Sequence, residues 1–204
     1  EEYFRQRNLS RINAFHQNYR YPIYHIEHAY LSDRLGHIHG LFGFNGYERT
    51  AGEVYLDMPD YKPVKPSPTQ TLEEPKRRGV PEEASVRISV EWEKGRGTRP
   101  GLIVRAYHDE KQIGICECVS CGDFSRADDA QDWLLTTWLG VSQEIQSKGL
   151  GRYLLQYTLQ EAKDAGYRHA VISTSWRNHR ALLFYSNYGY RVVDWTYALG
   201  RELK

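Results

Sequence analysis

The six residues Gln146-Ser147-Lys148-Gly149-Leu150-Gly151 constrain the fold more than any other stretch of this chain, because they join an apolar strand-like run to an amphipathic helix. Leu134 to Val141 (LLTTWLGV) is rich in β-formers and short enough for a buried strand. After Gly149, Leu150, Leu154, Thr158, Ala162 and Ala165 recur at spacings of three or four, Leu155 and Leu159 widen the stripe, and Gly166 supplies a stop. The pattern predicts strand, turn, helix. The first turn of a helix carries N–H groups without intrahelical partners and the positive end of the dipole, so it draws an anion. Gly149 and Gly151 allow close approach and φ > 0, while Lys148 and Arg152 add positive charge. A diphosphate cradle is the expectation, and an ordinary helix opened by glycine is the plain alternative. A Walker loop would need G-x-x-x-x-G before Lys and Ser or Thr, and a dinucleotide fingerprint would need a third glycine where Leu154 stands.

Downstream, His169 to Ser175 (HAVISTS) reads as a second buried strand. Asn178 is a good N-cap for a helix through Ala181, Leu182, Phe184 and Tyr185, which Gly189 ends. Tyr190 to Leu199 (YRVVDWTYAL) is strand-like again, as are Val86 to Trp92, Leu102 to His108 and Ile113 to Val119 upstream.

The loop Q-S-K-G-L-G after a strand, followed by N-x-x-A-x-x-F-Y-x-x-x-G-Y from Asn178 to Tyr190, resembles the GNAT superfamily of acyl-CoA-dependent N-acetyltransferases over residues 86 to 204. The resemblance implies an α/β (α+β) fold: a mixed, mostly antiparallel central sheet flanked by helices, with an N-terminal helical and strand extension. It implies that Gln146, Ser147, Lys148, Gly149, Leu150, Gly151 and Arg152 hold the pyrophosphate of acetyl-CoA. The main chain of Leu139, Gly140, Val141 and Ser142 matches the family strand that bonds the pantetheine, and Asn178 matches the family Asn that contacts the cofactor. Tyr185 matches the family Tyr that protonates the departing CoA sulfur, and it follows Asn178 by two helical turns.

Acetyl transfer needs a neutral nitrogen to attack a thioester, a donor for the oxyanion and an acid for the leaving thiolate. The Val141 N–H is the expected oxyanion donor. Tyr185 suits the acid, because a phenol of pKa about 10 stays protonated at neutral pH. The chain has sixteen tyrosines, and packing is the bland role for any of them. Glu117, on the strand-like Ile113 to Val119, is the candidate general base, with Glu144, Asp132 and His179 as alternatives. The expected reaction moves acetyl from acetyl-CoA to a primary amine by direct attack, on a small-molecule or peptide acceptor. The rival from another class is a non-catalytic acyl-CoA-binding sensor or structural module. A dinucleotide-binding domain is weakened by Leu154 and by the lack of a fitting acidic residue after the next strand.

With 204 residues, 40% hydrophobic and 26% charged, the chain can bury a sizeable core. A net charge of +1 argues against nucleic acid or an anionic membrane as main partner, and no run reads as a membrane span. The chain opens Glu1-Glu2 and has its only Met at position 58, so the expectation is a processed or excised sequence without a signal peptide. Cys116, Cys118 and Cys121 (C-E-C-V-S-C) match no common zinc spacing, and two of them share a strand face as small core residues. No metal is expected. An odd cysteine count fits a reducing cytoplasm. The pairs His25/His28 and His37/His39 lack a convincing acidic or thiol partner and read as scattered surface or structural histidines. Oligomeric state stays open, a homo-oligomer included.

Residues 61 to 85 concentrate proline and charge and read as a linker between an extension, 1 to 60, and the domain 86 to 204. Residues 2 to 16 and 23 to 35 carry helix-like spacing of Leu9, Ile12, Phe15 and of Ile23, Ile26, Tyr30. The run from Phe44 to Leu56 echoes Asn187 to Arg191 and the strand after it, as in a tandem protein whose upstream copy is incomplete, with Phe42 standing where Tyr185 stands. The family's two helices between its first strand and the hairpin are missing after Val86 to Trp92. Either residues 1 to 40 or a second chain is then expected to wall the acceptor pocket.

Overall fold

The structure is a computed structural model and describes residues 2–16, 30–63 and 86–203. In chain order the elements are α1 (Glu2–Arg5), β1 (Arg11–Ala14), β2 (Leu31–Ser32), α2 (Gly36–Phe44), β3 (Glu48–Met58), β4 (Val86–Glu93), β5 (Gly101–His108) and β6 (Lys111–Ser120). There follow β7 (Trp133–Val141), α3 (Leu150–Asp164), β8 (His169–Ser175), α4 (His179–Tyr188) and β9 (Arg191–Glu202). Helices alternate with a mostly antiparallel set of strands, as the family resemblance implies. The chain forms two compact units, Glu1–Asp57 with Ser173–Lys204, and Met58–Ile172.

In the second unit β4, β5, β6 and β7 form an antiparallel series, and β8 adds to β7 in parallel. A parallel partner requires a crossover, and α3 supplies it. Its buried stripe of Leu150, Tyr153, Leu154, Leu155, Thr158, Leu159 and Ala162 follows the spacing legible in the sequence. Of that stripe, Leu150, Tyr153, Leu154 and Ala162 pack with Leu102, Val104, Ala106, Cys116, Cys118 and Leu134 from one face of the strands. Gly114 makes the approach possible, since a Cβ there would stand 2.7 Å from Leu154 Cδ1. Gly166, at φ +95°, ends the crossover. Tyr61, at the head of the stretch read as a linker, is buried and donates its N–H to the Arg168 carbonyl at 3.3 Å. Residues 64 to 85 lie outside the described residues.

In the first unit β9 is central: β1 and β2 pair with it on one side and β3 on the other, all antiparallel. The helix-like spacing of residues 2 to 16 is overruled here. Only Glu2–Arg5 is helical, and Ile12 lies in β1, opposite Arg201. A short segment gains more from completing a sheet edge than from a marginal helix. Of the second helix-like stretch, residues 23 to 29 lie outside the described residues, Leu31–Ser32 is strand, and the helix begins later, at Gly36. The echo noted in the sequence corresponds to a repeat of structure. Helix α2, Gly46 at φ +76° and strand β3 recur as α4, Gly189 at φ +122° and β9. Among the described residues no helix is long and apolar enough to cross a membrane.

Candidate active site

The segment β7 to α3 carries most of the residues singled out above. Strand β7 pairs with β6 along its length, with a register shift: Glu117 opposes Trp138 while Cys118 opposes Thr136, which leaves Thr137 as a bulge residue. The Thr137 hydroxyl donates to the Glu117 carbonyl at 3.2 Å and pins it. The parallel ladder to β8 covers only Trp133 to Thr136. Beyond the bulge, therefore, β7 keeps β6 as its partner, and among the described residues no strand pairs with its other edge.

Main-chain direction along that edge follows from one hydrogen bond. Ser142 N–H donates to the Ile113 carbonyl at 2.9 Å. Alternation then turns Ser142, Gly140 and Trp138 toward β6, and turns the N–H and C=O groups of Leu139 and Val141 to the open edge. The Val141 carbonyl there accepts from Gln146 Nε2 at 3.2 Å. Gln146 thus ties the loop back to the strand. The Ser142 hydroxyl oxygen is buried and has no hydrogen-bond partner among the described residues.

Between strand and helix the backbone passes through a short turn, Gln143–Ile145, and then alternates in sign. Ser147 lies at φ +64° and Gly149 at φ +90°, with Lys148 between them outside the positive region. Such alternation gathers successive N–H groups into an anion-binding concavity. Gly149 is the N-cap of α3 and supplies no side-chain acceptor, so the first-turn amides are not capped from within. A Cβ on Gly151 would meet, within 4 Å, only Val141 Cγ2 at 3.6 Å. Lys148 is half-buried and Arg152 exposed.

The other assigned residues lie in α4. Asn178 Oδ1 accepts from the Ala181 N–H at 3.1 Å, which is the N-cap role legible in the sequence. Tyr185 is the buried residue of α4, 7% exposed, and packs edge-on to Tyr190 with ring centres 5.9 Å apart.

Among the base candidates, Glu144 is paired with Lys111 at 3.2 Å on the surface, and Asp132 with Arg99 at 2.6 Å. His179 is exposed at the start of α4. Glu117 is half-buried, and no hydrogen bond or ion pair engages its carboxylate among the described residues. The cysteines are packing residues: Cys116 and Cys118 are buried, and the Cys118 thiol donates to Thr136 Oγ1 at 3.4 Å. Burial pushes the Cys118 thiol well above its usual range and the Cys121 thiol up to about 12, the latter helped by the Asp123 carboxylate.

Two features escaped sequence reasoning. One is the bulge at Thr137, which has no signature in LLTTWLGV. The other is Trp138, 60% exposed on the sheet face opposite α3. Strict alternation from Leu134 and Thr136 puts Trp138 in the core; the extra residue moves it to the other face and brings Leu139 and Val141 against the core instead.

The chain is similar in fold to several solved acetyltransferases. A GCN5-related N-acetyltransferase from Sphaerobacter thermophilus matches with TM-score 0.56 and 13% identity, over 85% of this chain and 58% of its own. The glucosamine N-acetyltransferase region of a fungal multi-domain GH3 β-N-acetylglucosaminidase matches with TM-score 0.58 and 16% identity, over 98% of this chain and 26% of that protein. A tandem GNAT protein from the clavulanic acid biosynthesis pathway gives TM-score 0.60 and 12% identity, over 98% of this chain and 66% of its own. The chain thus spans little more than half the length of the first of these and a quarter of the second. No curated protein matches in sequence. The model of the acetyltransferase (GNAT) family matches residues 67–190, more than half of the sequence, and the chain belongs to that family.

Proposed function

We propose that the chain binds acetyl-CoA along the open edge of β7 and transfers its acetyl group to a primary amine by direct attack. The observation that carries this reading is the closeness of Gly151 to Val141 at the point where the edge meets the glycine turn, where a Cβ on Gly151 would stand 3.6 Å from Val141 Cγ2. It makes one continuous track, with amides for phosphate at one end and strand N–H groups for an amide-bearing chain along the rest. The residues present fit such a ligand. Among the described residues the buried Ser142 hydroxyl has no partner, and a Cβ on Gly151 would meet only Val141 beyond its own helix.

Acetyl-CoA supplies an activated acyl group as a thioester. Ser147 to Arg152 hold its pyrophosphate through first-turn amides, with Lys148 and Arg152 adding charge. The Val141 N–H, expected from sequence as the oxyanion donor, adjoins this phosphate end of the track. The Leu139 N–H faces the same edge two residues back, about 7 Å further from the phosphates. An extended pantetheine reaches it later, so Leu139 takes precedence for the thioester oxygen and Val141 for an amide of the arm. Glu117 is taken as the general base: of its alternatives, Glu144 and Asp132 are engaged in ion pairs, and His179 is exposed at the start of α4. Tyr185 delivers a proton to the sulfur as the C–S bond breaks, a role that rests on the family motif. Asn178 lends its amide to the cofactor while its oxygen caps α4.

The test is the melting temperature with and without saturating acetyl-CoA, with NAD as control, followed by thiol release in the presence of amines. A ligand that binds only the native state at a hundred times its Kd adds about 2.7 kcal/mol. A rise with acetyl-CoA alone and amine-dependent thiol release are expected. Equal shifts with both ligands, or none, overturn the reading.

A further inference from the structure

The face of β4 to β7 that α3 does not cover carries a row of registered residues, Glu91, Ile103, Glu117 and Trp138, one from each strand. Opposed residues on neighbouring strands point the same way, with Cβ atoms about 5 Å apart. At one end of the row Arg105 closes on Glu91 at 2.7 Å, so that charge is matched. At the other end the half-buried Glu117 carboxylate has no ion-pair partner among the described residues: Ile103, Ile115 and Val119 flank it on the face, and Arg105, diagonal to it across β5, is turned to Glu91. Beside it stands Trp138, exposed to 60%, with its indole lying along β7 over Gly140, where a Cβ would fall 2.7 Å from Nε1. The missing side chain of Gly140 is what lets the ring lie there.

A carboxylate in apolar surroundings favours a cation that also brings its own apolar body, and an indole face attracts cations in the same way. We propose that Glu117 and Trp138 seat the cationic end of the acceptor, so that the substrate class is ammonium-bearing amines with an apolar skeleton rather than anionic or uncharged ones. This rests on the acetyl-transfer reading for its consequence. The Leu139 N–H follows Trp138 directly in the strand, so the seat adjoins the thioester position argued above. The step at the seat is a single proton transfer. The N–H bond of the ammonium breaks, its proton goes to a Glu117 oxygen, and the electron pair left on nitrogen becomes the nucleophile.

The experiment follows the tryptophan indole N–H signals of the full chain by NMR, with Trp138 assigned through Trp138→Phe. The probes are 2-phenylethylammonium and its uncharged counterpart 2-phenylethanol. The expected result is a saturable shift of the Trp138 signal with the ammonium, at least tenfold weaker with the alcohol. Glu117→Gln, close to isosteric, lowers the ammonium affinity at least tenfold and leaves the alcohol unchanged. Equal affinity for the two probes, no shift at Trp138, or an ammonium response that survives Glu117→Gln overturns the proposal. Acetyl-CoA is titrated separately against the Gly149 and Gly151 amides. If those fail to move while the seat responds, the acyl-transfer reading falls and the seat stands; the reverse pattern sinks only the seat.

Discussion

Glu53 and Thr196 face each other at the centre of the β3–β9 pair, where the Thr196 hydroxyl donates to the Glu53 carbonyl at 3.1 Å, and the register is the same read outward from either side. When Gly46 is set level with Gly189, Gly52 corresponds to Trp195 and Val54 to Tyr197. The observed pairs are Gly52 with Tyr197 and Val54 with Trp195. The outer pairs, Glu48 with Gly200 and Asp57 with Arg191, obey the same exchange, and so do the two bulge residues, Thr50 and Val193. The sequence echo is therefore a local two-fold repeat. In that correspondence Phe42 answers Tyr185 and Leu35 answers Asn178, so the upstream copy carries neither the phenol nor the polar N-cap; Leu35 makes no side-chain cap bond.

Gly52 lies beside that axis, where a Cβ would stand 2.3 Å from the Thr196 carbonyl oxygen and 2.9 Å from the Tyr197 ring. Gly52→Ala must push two strands apart and is expected to cost about 1–3 kcal/mol in denaturant titration. Gly40→Ala, in the middle of α2 with nothing within 4 Å of the new methyl, is expected to gain up to about 1 kcal/mol. Equal effects at the two sites would contradict the close approach at the axis.

Gly149 and Gly151 are both small, for different reasons. Gly149 needs its φ of +90°, and Gly149→Ala is expected to cost about 1–2 kcal/mol whether or not ligand is present. Gly151 is helical and unobstructed, so Gly151→Ala gains up to about 1 kcal/mol and keeps the acetyl-CoA response. Gly151→Asp also folds, since an acid in the first turn suits the dipole, but it sets a negative charge against the phosphates. Calorimetry is expected to find acetyl-CoA affinity reduced more than tenfold in Gly151→Asp alone. Unchanged affinity there would remove the phosphates from this turn.

Tyr185→Phe keeps the edge-on ring contact with Tyr190 and removes only the hydroxyl. Its melting temperature is expected to stay within a few degrees of wild type, with acetyl-CoA affinity unchanged. Turnover is expected to fall by about 10²-fold or more, the usual size of a lost proton-transfer group. If turnover holds, water is the acid and Tyr185 is a packing residue of α4.

Strands and helices with strong local patterns were readable from the chain alone. Leu150 to Ala162 announces its buried stripe, Asn178 its cap, and Gly166 and Gly189 their stops, because each is fixed by neighbours in sequence. What local pattern could not supply was set by distant partners. Ile12 is in a strand because β9 offers an edge, and Trp138 is outside the core because β6 forces one extra residue into β7 at Thr137. The carboxylate candidates could not be ranked either, since Arg99 and Lys111, which engage Asp132 and Glu144, lie 33 residues from them in sequence.

Cys121 ties alkaline stability to packing. Its thiol is held neutral up to about 12 in the folded chain, mainly by burial and secondarily by Asp123, against an ordinary value near 9. A folded pKa raised above the unfolded one means the contribution is complete below pH 9. It is lost as pH climbs from 9 toward 12, where the unfolded chain sheds a proton that the folded chain keeps. One such group lowers the unfolding free energy by about 1.4 kcal/mol per pH unit inside that window. Cys118 and the buried Tyr167, both raised by burial, act in the same direction, so the wild-type curve is expected to fall more steeply than one group accounts for. Cys121→Ala removes one share, and urea titrations at pH 9, 10 and 11 are expected to show a shallower decline by up to that amount. The same thiol is expected to resist iodoacetamide in the native protein at pH 8 and to react readily in urea, because the thiolate is the nucleophile. Parallel pH curves for the two proteins, or fast native alkylation at Cys121, would mean that the thiol reaches water and ionises normally.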